Sequence, residues 1–321
     1  MKAEEIIRYM ESLRNDEQRE VLMRFFKTAP GEYGYGDEFL GLKVPQTREV
    51  VKAVANDVSL EEVPQLLMSR WHEVRLCGLL IMVEKFQKLA TKRLENDVEA
   101  IRRRDEIVKM YLQYAEQANN WDLVDLSAPK ILGHWLMLPV QNNGLHGFHE
   151  LTAEFPVQDN GLHGLHELTA ELPIQDNGLH GLHELTAEFP VQDNGLHGFH
   201  ELTAGSQRQY KQAILDKLAM SDNLWRQRMS MVCTWKTSQM GDASWCLRYA
   251  EIHLHHPHDL MHKAVGWMLR EMGKRVSMDL LRSFLQQHVH EMPRTMLRYA
   301  IEKMDEDERQ QWMSNPRHIA L

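Results

Sequence analysis

MKAEEIIRYMESLRNDEQREVLMRFFKTAPGEYGYGD (1–37) carries two helical stripes closed by a break. Ile6, Ile7, Met10 and Leu13 fall at helical spacing, and Val21, Leu22, Phe25 and Phe26 do so again. Apolar residues at i, i+3, i+4 and i+7 line one face of an α-helix. The break Thr28-Ala29-Pro30-Gly31 follows, since proline and glycine end helices. Outward from this unit the pattern recurs, in Leu76, Leu79, Leu80 and Val83 and later in Leu280, Leu281 and Phe284. Asn56-Asp57 and His256-Pro257-His258 mark further breaks. Alternating strand patterns of useful length are absent. The expectation is an all-α chain, an α-solenoid of the HEAT/ARM-like kind in which helical hairpins stack into a superhelix. The glycines of Glu32-Tyr33-Gly34-Tyr35-Gly36-Asp37 follow no strand, which excludes a dinucleotide or P-loop reading.

Composition narrows the class. At 321 residues the chain has room for two ordinary domains or one long repeat array. Its uninterrupted apolar runs, such as Leu79-Leu80-Ile81-Met82-Val83, are too short to cross a bilayer. The charged, amphipathic start lacks the apolar core of a signal peptide. Cys77, Cys233 and Cys246 cannot pair evenly and form no CxxC, so neither a disulfide scaffold nor a Cys-rich zinc site is expected. Hydrophobic content of 43% with eight Trp suffices for a core. These features predict a soluble, cytoplasmic protein.

The formal charge of −9 argues against a nucleic-acid partner only if it is spread evenly. It is not. Residues 138–204 contain no Lys or Arg and carry ten acids, which leaves 37 basic against 36 acidic residues elsewhere. A local basic face is therefore open to the remainder. The acidic stretch is a tandem repeat: LPVQNNGLHGFHELTAE (138–154) recurs as FPVQDNGLHGLHELTAE (155–171), LPIQDNGLHGLHELTAE (172–188) and FPVQDNGLHGFHELTA (189–204). Such near-identity suggests recent duplication. Leu145, Phe148, Leu151 and Phe155 fall at helical spacing, but two glycines per copy each weaken a helix by about 1 kcal/mol. Stacked amphipathic helices and a loose insertion both stay open. The histidine pairs, such as His146 and His149, have metal-ligand spacing without a fixed third ligand, and are read as repeated along with the sequence around them.

Four segments are more specific: FLGLKVPQTR (39–48), NNWDLVDLSAPKILG (119–133), DNLWRQRMSMV (222–232) and HDLMHKAVGWMLREMGKR (258–275), with MPRTMLRYAIEK (292–303) near the end. In these the chain resembles the HEAT-like-repeat DNA alkylation repair proteins, the AlkD-type alkylpurine DNA glycosylases. The resemblance covers nearly all of 1–137 and 206–321, and the repeat is foreign to it. It implies Asp125 as the catalytic aspartate, Trp121 and Trp267 as lesion-facing tryptophans, and Arg228 as the essential arginine. Arg270 and Lys274, one and two turns beyond Trp267, are candidates for phosphate contacts. Arg294 and Arg298 in the last hairpin are further ones.

The chemistry fits those residue types. Trp121 and Asp125 lie at i and i+4, side by side on one helix. An N3- or N7-alkylated purine is cationic and thus an activated leaving group, and breaking its glycosidic bond develops positive charge on the sugar. A carboxylate can stabilise that charge and orient the attacking water. An aromatic face attracts a cation by about 0.5–2 kcal/mol, and an arginine fork suits a phosphate or a carboxylate. Each residue also has a plainer role open to it: Trp121 as core, Asp122 and Asp125 as acids at the positive end of a helix, and Arg228 as a surface ion-pair partner. The run His253, His255, His256, His258 and Asp259 straddles a proline break, and the resemblance implies no metal and no cofactor.

The expected activity is hydrolysis of alkylated purines from double-stranded DNA by a monomer that needs no protein partner and no membrane. A non-catalytic DNA-structure binder on the same scaffold and a protein-interaction solenoid are the alternatives. The insertion is tolerable if residues 137 and 206 stay close. Lengthening a loop from about five to about 70 residues costs on the order of 2 kcal/mol. Its carboxylates would repel phosphate near the groove, or imitate it there, in which case deleting 138–204 should tighten DNA binding.

Overall fold

Short polar side chains close the first turns of the helices. The Asn15 side chain accepts from Gln18 N at 2.9 Å, that of Asp97 from Ala100 N at 2.8 Å, that of Asn223 from Trp225 N at 2.9 Å, and that of Asp305 from Glu308 N at 2.8 Å. Each satisfies a backbone donor that a helix start leaves free. The structure, a computed structural model, describes residues 1–140 and 204–315. The tandem repeat beyond Val140, with its histidine pairs and the question of its helicity, lies outside the described residues. Among those described no strand forms, and a single bridge pairs Glu38 with Trp71. None of the helices among the described residues is long and apolar enough to cross a membrane.

The helices stack as a solenoid. Val44–Val54, His72–Leu89, Trp121–Ser127, Leu224–Val232, Asp259–Arg275 and Arg294–Ala300 touch in that order, forming one continuous row. A second layer backs the row. Val63–Leu67 and Val98–Gln113 pack on His72–Leu89, Ala204–Ala219 packs on Leu224–Val232, and Ser244–Ile252 and Met278–His288 pack on Asp259–Arg275. Contact between every second long helix is what stacked hairpins produce.

His72–Leu89 is the central member. Every residue from Trp71 to Val83 is buried, as expected for a helix enclosed on all sides. Its Glu73 carboxylate accepts from Leu40 N at 2.8 Å, Gly41 N at 2.9 Å and Leu42 N at 3.0 Å. That accounts for the FLGL stretch, whose backbone is strapped to this helix. Gly41 has φ +90°, and a Cβ there would stand 2.0 Å from Asn15 O, so only glycine fits.

Asp16–Phe25 departs from the expected pattern. No residue in it is buried, and Val21 and Phe25 are 50% and 59% exposed. The helical spacing is real but its apolar face is left largely uncovered, and only Phe26, just past the helix end, enters the core.

The ends of the undescribed stretch are held together. Leu138 and Val140 are buried in the core. Lys211 donates to the carbonyls of Leu136 (3.1 Å) and Leu138, and Val140 N donates to Gln207 Oε1 at 3.4 Å. The closeness of the two flanks on which the solenoid's continuity depends is thus present.

Candidate functional site

Trp121 opens the third helix of the row, with the Asn120 side chain accepting from its N–H at 2.9 Å. Its ring is half-buried. Phe26 stacks on it at 5.2 Å and Phe25 meets it edge-on at 5.7 Å. Tyr33 interacts with the Trp121 indole through its hydroxyl and lies 6.1 Å from the Trp225 ring. Burial raises the Tyr33 pKa, against the opposing effect of that contact with Trp121. The result is an aromatic wall built from the first hairpin, the loop after it and two row helices.

One turn on, Arg228 grips Asp125 from the neighbouring helix. Nε donates to Oδ1 at 2.9 Å and Nη2 to Oδ2 at 2.8 Å, while Nη1 donates to Leu260 O at 2.6 Å. Three successive helices of the row therefore meet at one guanidinium. The two side chains are 6% and 15% exposed, and a forked pair so placed is rigid as well as strong. Burial pushes the Asp125 carboxyl above the usual carboxylate range; Arg228 opposes that shift and the charge of Asp122 adds to it. A buried carboxylate whose surroundings make ionisation harder is a candidate for acid–base work.

Behind Asp125 runs a buried chain of charges. His72 Nδ1 lies 2.7 Å from Asp37 Oδ2, and its Nε2 lies 3.0 Å from Asp122 Oδ2. Arg75 Nη2 donates to the other Asp37 oxygen at 2.5 Å and to Asn119 Oδ1 at 3.0 Å. Burial acts to lower the His72 pKa, but the two carboxylates outweigh it and push it up to about 10. Phe39 stacks on the imidazole at 4.3 Å.

A family model described as DNA alkylation repair enzyme matches residues 6–149 and 199–304. The chain belongs to that family. A solved structure described as a predicted DNA alkylation repair enzyme from Enterococcus faecalis is similar in fold, with a TM-score of 0.53 and 13% sequence identity, covering 91% of this chain and 97% of that one. No curated protein matches the chain.

In this member of the repair family the other expected DNA contacts are distributed differently. Trp267 is half-buried against the core, and no hydrogen bond or ring contact joins it to Trp121 or Asp125 among the described residues. It stands seven residues beyond Leu260 on its helix, about 10 Å of rise. Arg270 is bonded to Glu302 and Glu271. Arg294 donates to the carbonyls of Met313 at 3.0 Å and Asn315 at 2.7 Å, fastening the last helix. Lys274 and Arg298 are exposed, and Arg298 Nε donates to Arg294 O at 3.3 Å. The structure thus gathers Trp121, Asp125 and Arg228, and places Arg270 and Arg294 in bonds to the protein itself.

The histidine run does not converge. His253 is buried on the Ser230 hydroxyl at 2.9 Å, and burial pushes its pKa down to about 3. His256 faces Gln227 Oε1 at 2.8 Å, His258 caps the Asp259–Arg275 helix by accepting from Leu260 N at 3.1 Å, and His255 points to Glu291. Among the described residues no three His, Cys, Asp or Glu side chains gather as a metal site.

Asp37, His72, Arg75, Phe26 and Tyr33 are the parts that sequence reasoning missed. One signal was available. His72 and Arg75 share a helix face with Leu76, Leu79 and Val83, and polar residues on a core-facing stripe call for buried partners.

Proposed function

We propose that this member of the DNA alkylation repair enzyme family is a DNA glycosylase. It removes cationic N3- or N7-alkylated purines from duplex DNA by hydrolysis. The observation that carries the reading is the Asp125 carboxylate, gripped by Arg228 one turn from the aromatic face of Trp121. The lesion's charge rests on the aromatic wall. As the C1′–N bond breaks, its electron pair neutralises the base, and positive charge passes to the sugar. Asp125 stabilises that charge and directs a water to C1′, whose proton leaves through the carboxylate to solvent. Arg228 fixes the carboxylate so that it need not reorganise during the reaction. The leaving base is activated by its own charge, so this route calls on no metal and no cofactor.

Single-turnover release of free base from methylated duplex DNA, with Asp125→Asn run alongside, tests the reading. Release by the native chain and its loss in the variant support it. Absence of release from the native chain, with DNA affinity that falls steeply with salt, would instead favour a non-catalytic DNA binder.

A further inference from the structure

We propose that His72 is a positioning residue for the Asp125 site: clasped between Asp37 and Asp122, its imidazolium offsets the Asp122 carboxylate one helical turn from Asp125 and so sets the charge that a reacting sugar meets. The inference rests on the glycosylase reading and names a part of that site which touches no substrate.

The hydrogen-bond geometry calls for a proton on each side of the ring, and the two carboxylates that raise His72 to about 10 place both protons on the imidazole. Both imidazole nitrogens face carboxylate oxygens, at 2.7 and 3.0 Å. A neutral imidazole has one N–H and one lone pair, and a carboxylate oxygen cannot donate to that lone pair. Only the imidazolium satisfies both sides with both acids ionised. The site is closed to water, His72 being 2% exposed. The far oxygen of Asp37 is taken by Arg75. Two cations and two anions therefore alternate from Arg75 to Asp122, and the buried chain is neutral as a whole.

Its open end points to a use. Asp122 Oδ1 is buried and has no hydrogen-bond partner, a costly condition for a carboxylate oxygen. The charge of Asp122 reaches Asp125, where it makes ionisation harder. His72 offsets that charge from the other side. Other groups also face these residues. Arg228 approaches Asp125 from Leu224–Val232, Tyr111 from Val98–Gln113 and Tyr33 from the loop, with His258 beyond Arg228. On His72's own helix Glu73 is turned away to the backbone of residues 40–42. None of these replaces the positive charge between Asp37 and Asp122.

The test is the pH profile of single-turnover base release by the full chain, for the native protein, His72→Gln and Asp122→Asn. The two variants sit at opposite ends of one hydrogen bond but remove opposite charges. His72→Gln should move the acid limb to higher pH, by about one pH unit for a unit charge a few ångström further off at an effective dielectric of about 20. Asp122→Asn should move it to lower pH. A role confined to holding the helix in place would shift both in the same direction or leave the limbs where they are, and either result overturns the inference. Should His72→Gln fail to fold, 15N shifts of the native ring at pH 8 decide: two protonated nitrogens are expected, and a neutral ring overturns the inference. Native protein that releases no base overturns the glycosylase reading and the inference with it. Release with unshifted limbs overturns the inference alone.

Discussion

Arg228→Ala is the perturbation with the most definite consequence. It removes two hydrogen bonds to Asp125 and one to Leu260 O, all made by a side chain 6% exposed. Breaking a buried ion pair from one side costs about 3–5 kcal/mol, because the surviving charge is left without compensation. The surviving group can also take a proton. Asp125 already sits above its ordinary pKa, and removing Arg228 raises it further. The variant's folded state then binds that proton more tightly than the unfolded chain, whose Asp titrates near 4. Variant stability therefore rises as pH falls toward that value, at up to about 1.4 kcal/mol per pH unit. Urea denaturation at pH 7.5 and pH 5 should show the gap to the native protein narrowing by roughly 1–3 kcal/mol at the lower pH. Asp125→Asn added to Arg228→Ala should recover much of the loss at pH 7.5. An equal gap at both pH values, or no recovery in the double variant, would refute the account of a charge stranded in the protein.

Three further outcomes are expected. Gly266 lies where a Cβ would come within 2.3 Å of Met296 O, so Gly266→Ala should force apart the last two helices of the row and lower stability by about 1–3 kcal/mol, read from the urea midpoint. The thiols of Cys77 and Cys246 are buried and pushed up to about 12, and burial raises Cys233 as well, so the native protein should resist thiol reagents until denaturant is added. His72 is raised to about 10, above its unfolded value near 6.5. Its stabilisation is therefore complete below pH 6.5 and lost as pH climbs through 10. The stability difference between native protein and His72→Gln should shrink steadily across that window, and a difference independent of pH would contradict the charged ring.

What the sequence disclosed follows the range of the interactions involved. Helical spacing is local, and the solenoid could be read from stripes such as Leu76, Leu79, Leu80 and Val83, all of them buried. The spacing of Trp121 and Asp125 is local too. The Asp16–Phe25 stripe shows the limit of that logic: periodicity reports a helix's shape, while what covers its face is decided by distant chain. Arg270 and Arg294 have the position of phosphate ligands, but their partners, Glu302 and the carbonyls near residue 314, belong to tertiary structure. The clasp on His72 joins residues 35 and 50 positions away. Its only trace in sequence was a pair of polar residues on an apolar face.

The bond between Val140 and Gln207 has a genetic consequence. The solenoid fixes where the intervening chain departs and returns, and for any loop without structure of its own a doubling in length changes closure entropy by only about 0.6 kcal/mol. Near-identical tandem units in the coding sequence are the substrate of replication slippage, and on that loop arithmetic closure alone would offer little resistance to it.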